Sequence, residues 1–390
     1  MDGRNRLNEI SLHDAPRDPR PPWLERAWQA WLSTRGRKAI PVVPTGDIIE
    51  APGGLEVGTR WAVQDIFRRA TFGFSLTKHF TDVSFAESPD SPRPDILHWT
   101  CPMPLSVAKA GNLYTIHDLA PLRLPYATLE NKRMFHSLCE RICREADHVV
   151  TVSETARREI IQMFGIEERR ITNTYQAVAI PKSLMDRPMD EVGADLESIF
   201  NLRLRKYFLF FGAIEPKKNL PRLIEAYLSS NVRDPLVIVG GQGWLAEQET
   251  ALLYDDLLEA RVLSEGLWRR ADRIRRYDYL PQALLVSLVR GAKAVMFPSL
   301  YEGFGLPLLE AMQLGTPVVA STGGALPEIA GDAAVLVDPF DVTAIKRAIF
   351  EVGSDEGLCA TLSERGRARA GEFSASAYEA RLGRLYGAFI

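Results

Sequence analysis

A glycine-rich segment with a carboxylate on either side carries the clearest chemical signal in this sequence. Residues 297–310 read Phe-Pro-Ser-Leu-Tyr-Glu-Gly-Phe-Gly-Leu-Pro-Leu-Leu-Glu. Gly303 and Gly305 leave space where a ligand must approach the backbone. A helix predicted to begin at Pro307 offers free N–H groups and the positive end of its dipole. The segment therefore favours a phosphate group next to this turn.

The two carboxylates of this segment suit different parts of a ligand. Glu310, on the predicted helix and near the anion, can accept two hydrogen bonds from a vicinal diol such as ribose, whereas Glu302 lies in the loop itself. The alternative is a tight turn in which Glu310 only compensates the helix dipole. For an isolated Gly-rich turn both interpretations stay open.

Two adjacent lysines follow the strand predicted at 207–211, in the segment Gly-Ala-Ile-Glu-Pro-Lys-Lys-Asn of residues 212–219. Negative charge that builds up on a phosphate-containing ligand during a reaction is stabilised by fixed cations, each of which lowers such a barrier in a cleft by roughly 3 kcal/mol. We predict that Lys217 and Lys218 supply these cations, the alternative being a solvated pair of loop lysines. Because no Asp-X-Asp motif stands in a plausible metal position, we expect neither a divalent metal nor any other cofactor.

A histidine, His117, directly follows the strand predicted at 113–116 and precedes Asp118. The carboxyl ends of parallel strands form the ligand-binding edge of an α/β sheet, so His117 is a candidate for contact with substrate. The alternative is a packed, hydrogen-bonded histidine. Asp118 is interpreted as structural, and Ser153, after the strand at 148–152, as the cap of the next helix.

The strands and helices that must position these residues alternate along the chain. Strands are predicted at 40–43, 96–99, 113–116, 148–152, 207–211, 236–239, 274–277, 294–297, 317–320 and 334–337. Helices are predicted from near Arg60 and at 129–146, 220–229, 282–291, 307–314, 326–330 and 342–351. This alternation predicts an α/β protein with two doubly wound domains, whose parallel sheets place the ligand site in the cleft between them.

Near the amino terminus, apolar residues recur at helical spacing after Pro22 and include three tryptophans, Trp23, Trp28 and Trp31. Arginines and a lysine flank them, so the helix is basic and amphipathic. Such a helix suits the headgroup region of a membrane surface. Packing of the tryptophan face on the first domain is the equal alternative.

Composition excludes several classes of protein. The chain has 390 residues, more than one ordinary core needs, and its 46% hydrophobic and 25% charged residues are typical of globular proteins. A net charge of −3 gives no basic field for nucleic acid. The four cysteines form no CxxC pair, and no apolar run approaches the roughly 18 residues of a membrane helix, so we expect a cytoplasmic protein with reduced thiols. Residues 240–243 do not form the GxGxxG turn of an NAD-dependent oxidoreductase.

The spacing of Glu302 and Glu310 in the form Glu-Gly-Phe-Gly-Leu-Pro resembles the signature of the large retaining GT-B glycosyltransferases of family 4, over residues 113–338. The resemblance implies that Glu302 contacts hydroxyls of a nucleotide-sugar donor, that Glu310 binds its ribose and that His117 lies over its sugar. The implied catalytic residues are His117 and Glu302, and the implied donor-binding residues are Gly212, Lys217, Lys218, Gly303, Phe304, Gly305, Leu306 and Glu310.

The segments Ile-Glu-Pro-Lys-Lys-Asn and His-Asp-Leu-Ala-Pro-Leu-Arg, together with Tyr126, resemble bacterial mannosyltransferases of polysaccharide assembly that use GDP-mannose. This implies transfer of mannose, with retention, to a saccharide or polyprenyl-diphosphate-linked saccharide, a donor phosphate oxygen taking the acceptor's proton. Ala213 stands where the family commonly has an Arg, so Lys217 and Lys218 must supply the charge near the diphosphate. Open alternatives are a UDP-glucose or UDP-N-acetylglucosamine donor, and a catalytically silent sugar-nucleotide-binding protein.

The domain boundaries follow from the same patterns, with the irregular stretch around 181–202 as the linker. The expected parts are an arm and Trp-rich helix (1–38), a Rossmann-like acceptor domain (39–190), a Rossmann-like nucleotide-sugar domain (191–372) and a C-terminal helix (373–390). For this last helix, packing back on the first domain is one option. Peripheral attachment to the inner membrane is the corresponding option for the whole protein.

Overall fold

The computed structural model describes residues 36–42, 60–63, 65–85, 94–241, 243, 259–264 and 267–389. The predicted helix with Trp23, Trp28 and Trp31 lies outside these residues. The chain divides into two compact units, which are Met1–Pro94 with Met103–Ala110, and Asp95–Pro102 with Gly111–Ile390.

Strands and helices are numbered here in chain order. The strands are β1 (Arg37–Val42), β2 (Arg60–Ala62), β3 (Thr81–Phe85), β4 (Ile96–Trp99), β5 (Leu105–Ser106), β6 (Gly111–Thr115), β7 (His148–Thr151), β8 (Ile171–Asn173), β9 (Phe208–Phe211), β10 (Leu236–Val239), β11 (Glu259–Ser264), β12 (Leu267–Asp272), β13 (Ile274–Tyr277), β14 (Ala294–Phe297), β15 (Val318–Ser321) and β16 (Val335–Val337). The helices are α1 (Ile66–Thr77), α2 (Ala120–Arg123), α3 (Lys132–Glu145), α4 (Glu154–Phe164), α5 (Lys182–Met185), α6 (Met189–Phe200), α7 (Leu220–Ser229), α8 (Gln282–Gly291), α9 (Leu306–Gln313), α10 (Leu326–Ala330), α11 (Val342–Ser354), α12 (Glu356–Gly371) and α13 (Ala375–Tyr386).

The first unit contains a four-stranded sheet in the order β2-β1-β3-β5. β1 pairs antiparallel with β2 and parallel with β3. The helix predicted from near Arg60 is therefore wrong at its start, because Arg60–Ala62 pairs as a strand with Ile40–Val42 and the helix begins only at Ile66. Asp65 precedes that helix with a φ of 51°, which ends the extended backbone.

The second unit begins with a parallel sheet in the order β4-β6-β7-β8. α13 packs on this sheet, where Leu385 joins Leu113 and Val150 in one buried cluster. The hydroxyl of Tyr386 lies 2.6 Å from Nδ1 of His98 on β4, whose Nε2 lies 2.7 Å from Oγ1 of Thr115.

The expected linker around residues 181–202 is largely helical. α5 and α6 occupy it, and a proline, Pro181 or Pro188, precedes each helix. Val192, Leu196 and Phe200 recur at four-residue spacing and are buried, so this stretch has the apolar face of a packed helix. The hydrophobic pattern is loose in this stretch because the other face of α6 is polar, and its role as a linker stays a prediction.

A six-stranded parallel sheet in the order β13-β10-β9-β14-β15-β16 forms the rest of the second unit. In chain order this is third, second, first, fourth, fifth and sixth, the arrangement of doubly wound nucleotide-binding sheets. Every residue of β9, β10, β14 and β15 is buried. Strands covered on both faces need such continuous apolar runs. The described backbone of β11 and β12 forms an antiparallel pair.

No helix within the described residues is long and apolar enough to cross a lipid bilayer.

Candidate active site

The candidate site lies where the strand order of the six-stranded sheet reverses. β9 and β14 are paired neighbours there, and the connections from them lead in opposite directions. A crevice forms at such a switch point, beyond the carboxyl ends of the strands. The two segments singled out by sequence, 212–219 after β9 and 298–305 after β14, leave these strand ends and meet.

Glu302 and the two lysines form a buried cluster of charges. Nζ of Lys218 donates to Oε1 of Glu302 at 2.7 Å, and Nζ of Lys217 lies 3.9 Å from Oε2. Lys217 also lies 3.4 Å from Oε1 of a third carboxylate, Glu215, which is 3% exposed. Lys218 further stacks over the ring of Phe297, with Nζ 4.9 Å from its centre.

The lysines determine the ionisation of this cluster. Burial alone would raise the pKa of Glu302, but the charges of Lys218 and Lys217 lower it below its ordinary value. Burial would lower the pKa of Lys217, and Glu302 and Glu215 raise it instead. Glu302 is therefore an ionised carboxylate and Lys217 a cation at neutral pH. Burial raises the pKa of Glu215, against the opposing effect of Lys217.

Backbone contacts hold the two segments together. The side-chain amide of Asn219 donates to the carbonyl oxygens of Pro298, at 3.0 Å, and Pro339, at 2.7 Å. The N–H of Leu300 donates to the carbonyl oxygen of Lys217 at 2.7 Å. Since buried amides and carbonyls need partners, these bonds fix the lysine segment relative to the Glu302 segment.

Gly212 allows a close approach of a further loop. Its φ is +132°, in the region that favours glycine. A β-carbon built on Gly240 would lie only 1.9 Å from the carbonyl oxygen of Gly212, so Gly240 allows the close approach of the two loops, whereas Gly212 needs glycine for its φ. The N–H of Ile214 donates to the carbonyl oxygen of Gly241 at 3.0 Å, and the N–H of Gly243 donates to the carbonyl oxygen of Ile214 at 2.9 Å. The predicted donor-binding role of Gly212 stays a prediction.

The glycine-rich turn leads into α9 as the sequence predicts. Gly305 precedes the helix with a φ of +104°, and no side chain caps the first turn. Leu306, the first helical residue, is 38% exposed, whereas Phe304 is buried against Tyr175 and Phe373. Free N–H groups at an uncapped helix start provide a site for an anion.

Glu310 lies on the second turn of α9 and is half-buried. Among the described residues its carboxylate has no hydrogen-bond or ion-pair partner, and burial raises its pKa. A carboxylate that is half-buried without a partner is costly. It therefore suits a ligand that brings hydroxyl donors.

His117 and Asp118 reach the Gly303 turn from the end of β6. A β-carbon built on Gly303 would lie 2.6 Å from Cβ of Asp118 and 2.9 Å from the carbonyl oxygen of His117, so no larger residue fits. Burial lowers the pKa of His117, while Asp118 acts in the opposite direction. Burial also raises the pKa of Asp118, on which the charges of Lys217 and Glu302 act from across the contact.

Two family models match the chain. They are Glycosyl transferases group 1, over residues 198–369, and Glycosyltransferase Family 4, over residues 50–179. O-antigen chain mannosyltransferase B of Escherichia coli is 34% identical over 265 residues, which cover 67% of this chain and 66% of that protein. The chain belongs to the GT-B glycosyltransferases.

Two further similarities agree with this assignment. Serotype-specific mannosyltransferase WbdA of Escherichia coli is 29% identical over 262 residues, which are 66% of this chain but only 31% of that protein. The solved structure of Anabaena Alr3699/HepE in complex with UDP and glucose matches with a TM-score of 0.59 and 17% identity over 72% of each chain. The latter likeness shows the fold alone. The family and fold predicted from the Glu302 segment are thus confirmed.

The glycosyltransferase brings most of the predicted residues together. Glu302, Lys217 and Lys218 form one cluster, and the backbone of His117 touches the turn at Gly303. Their roles as catalytic or donor-binding residues stay predictions. Within the part of the chain that the structure describes, no three His, Cys, Asp or Glu side chains are grouped as metal ligands.

Sequence reasoning missed several residues that shape the site of this glycosyltransferase. Asp118, interpreted as structural, does accept the N–H of Ala120, the first residue of α2, at 2.8 Å, yet it also packs against Gly303. Asn219, with a φ of 62°, lies in the predicted lysine segment, but no sequence pattern indicated its bonds to Pro298 and Pro339. A glycine pair at 323–324 was overlooked. The available signal was a Gly-Gly pair shortly after a buried strand, which is typical of a turn.

Proposed function

We propose that this glycosyltransferase transfers mannose from GDP-mannose to a saccharide acceptor, with retention at the anomeric carbon and without a divalent metal. The observation that carries the proposal is the ionised Glu302 held by Lys218 and Lys217 beside an uncapped helix start at Gly305. The mannosyltransferases among its relatives favour mannose as the sugar.

The roles follow from the charges. The donor diphosphate would lie between the N–H groups at the start of α9 and the ammonium group of Lys217, which is the less buried of the two lysines. Charge that develops on the departing GDP is then stabilised by groups already in place. Glu310, half-buried and without a partner among the described residues, would accept hydrogen bonds from the ribose hydroxyls.

Retention is proposed to proceed by attack on the face that the GDP leaves. Glu302 is a poor nucleophile because two ammonium groups neutralise its charge, so a covalent sugar–enzyme intermediate on it is disfavoured. A donor phosphate oxygen would take the acceptor's proton. Positioning and electrostatics then supply the rate enhancement.

We further propose that the acceptor saccharide is linked to a lipid. The basic helix predicted from the sequence at Trp23, Trp28 and Trp31, outside the described residues, would contact the anionic inner-membrane surface and a polyprenyl-diphosphate-linked saccharide. Flotation on vesicles containing an anionic phospholipid tests this contact. Equal flotation of wild type and of the triple variant with Ala at these positions would contradict it.

Calorimetry tests the donor. We expect GDP-mannose to bind with EDTA present, and UDP-glucose, UDP-N-acetylglucosamine and NAD to bind much more weakly. Lys217→Met should weaken binding of GDP-mannose, whereas Lys206→Met, at an exposed lysine of the same unit, should not. Binding of GDP-mannose without turnover would favour the catalytically silent alternative. Binding of a UDP-sugar instead would contradict the GDP-mannose assignment.

A further inference from the structure

Glu328, a residue outside the predicted site, occupies the start of another helix. Its Oε1 accepts the N–H of Glu154 at 2.7 Å, and its Oε2 accepts the N–H of Thr155 at 2.8 Å and the Thr155 hydroxyl at 2.7 Å. Glu328 lies on α10, which connects β15 and β16 of the six-stranded sheet. Glu154 starts α4, which lies beside the β4-β6-β7-β8 sheet. The carboxylate thus joins the two parallel sheets of the second unit.

The backbone N–H groups in the first turn of α4 need this carboxylate as an acceptor. Ser153 caps the helix by accepting the N–H of Ala156 at 3.0 Å. That leaves the first two amides, of Glu154 and Thr155, and Glu328 takes both. A carboxylate at a helix start is further stabilised by the helix dipole.

Glu328 is also rigidly connected to Glu302. The N–H of Ala325, one residue before α10, donates to the carbonyl oxygen of Glu302 at 2.8 Å. A β-carbon built on Gly324 would lie 2.2 Å from the same oxygen, so this turn packs directly on the Glu302 backbone. Only two residues, Leu326 and Pro327, separate Ala325 from Glu328.

A second contact joins the same two regions. The hydroxyl of Tyr301, next to Glu302, donates to Oε2 of Glu159 on α4 at 2.6 Å. Nε of Arg123, which follows the His117 segment, lies 3.2 Å from Oε1 of the same carboxylate. α4 is therefore bound to the Glu302 segment at its first residues, through Glu328, and one turn later, through Tyr301.

We infer that Glu328 is a positioning residue, which holds the Glu302 segment in register with the sheet that carries His117. The inference rests on the proposed function. Lys217, Lys218 and Glu310 all belong to the Glu302 side of this contact, so binding of GDP does not require Glu328. Transfer requires it, because His117, which follows β6, must face the donor sugar that Glu302 holds.

The consequence is a separation of turnover from binding. In Glu328→Gln the amide nitrogen cannot accept a backbone N–H. One of the two hydrogen bonds from the backbone of α4 is therefore lost, while the size of the side chain is unchanged. We expect kcat for GDP-mannose to fall by about tenfold to 100-fold, the effect of a displacement on the order of 1 Å at the reacting centre. The calorimetric affinity for GDP should stay at the wild-type value.

Two companion variants sharpen the test. Thr155→Val removes the hydrogen bond from the Thr155 hydroxyl to Glu328 and should lower kcat by a smaller factor. In the double variant with Glu328→Gln, the Thr155→Val substitution should have no further effect on kcat. Glu351→Gln is the matched control, because that carboxylate forms an exposed pair with Arg347 on α11 rather than on α4 or α10, and it should leave kcat unchanged. Unchanged kcat in Glu328→Gln, or a fall in kcat matched by an equal loss of GDP affinity, would overturn the inference.

Amide hydrogen exchange in the ligand-free protein tests the same link without turnover. Glu328→Gln should speed exchange at residues 154–156 and also at residues 299–306. A residue that merely caps α4 would change only the first stretch, and that result would overturn the inference. If the wild-type protein turns over no sugar nucleotide, the proposed function fails while this exchange experiment still decides the role of Glu328.

Discussion

At the scale of single residues, the site depends on mutual compensation of buried charges. Glu302 is 7% and Lys218 7% exposed, and each would be costly alone. Their 2.7 Å contact makes both tolerable. The pair is thus required for stability as well as for the proposed chemistry, and stability measurements can test it separately from activity.

Removal of Lys218 should be strongly destabilising. Lys218→Met leaves Glu302 buried with only the distant Lys217, and loss of one partner of a buried pair costs about 3–5 kcal/mol. Urea unfolding measures this change in the free energy of unfolding. Lys206→Met, at an exposed lysine, serves as the control. Equal midpoints for the two variants would contradict the role of the pair.

The pH dependence of turnover should reflect His117. Burial, opposed by Asp118, lowers the pKa of its ring, so the ring stays neutral above its ordinary pKa of about 6.5 and for some distance below it. If transfer needs the neutral ring, kcat/KM is constant above that pH and falls only as pH drops through the lowered pKa. The profile of GDP-mannose turnover checks this. A decline whose midpoint lies above about 6.5 would contradict the neutral role.

The same His117 shift has a defined sign for stability. The folded protein binds this proton less readily than the unfolded chain, so the His117 contribution to the free energy of unfolding is complete above the unfolded pKa and is lost as pH falls toward the folded pKa. Unfolding curves of wild type and His117→Gln should converge on acidification within that window. Parallel curves would mean that the ring is not shifted.

At the scale of elements, the decisive contact is between the end of β6 and the turn after β14. Gly303→Ala would place a β-carbon 2.6 Å from Asp118, so the turn or the His117 segment must move. We expect a loss of kcat of at least about 100-fold. Gly383→Ala, on α13, where an added β-carbon would meet no neighbouring side chain or loop of the described residues within 4 Å, should leave kcat unchanged. Comparable activity of the two variants would contradict the contact.

The elements around the site were predictable because their signals are local. β10, β13, β14, α7, α8 and α10 have the predicted bounds, since short buried runs are punctuated by Gly and Pro. The bonds of Asn219 were not predictable, and the Gly-Gly pair at 323–324 indicated a turn but not its contact with Glu302. Their partners, Pro298 and Glu302, are distant in sequence or fixed only by the packed turn.

At the scale of the whole molecule, strand order is what the sequence leaves open. Alternating elements predict parallel sheets, but the reversal between β9 and β14 arises from pairing of strands far apart in the chain. The same holds for Glu328 and Thr155, 173 positions apart. The predicted boundary between the two Rossmann-like domains at 190–191 stays a prediction, and the two compact units divide the chain elsewhere.

The C-terminal helix links the chain end to the sheet that carries His117. Leu385 is 7% exposed in the cluster with Leu113 and Val150, so Leu385→Ala should lower the free energy of unfolding by about 2–5 kcal/mol. Arg384→Ala, at an exposed residue of the same helix, should cost little. Thermal unfolding distinguishes them, and equal melting temperatures would mean that α13 does not support this sheet.

The central claim is metal-free mannosyl transfer that depends on Glu302. Its most direct test is GDP release from GDP-mannose in EDTA, with a saccharide acceptor, by wild type and by Glu302→Gln. We expect release of GDP by the wild type, little release of UDP from UDP-glucose, and a loss of at least about 100-fold in the variant. Release that requires added metal, that is faster from UDP-glucose, or that persists in Glu302→Gln would contradict it.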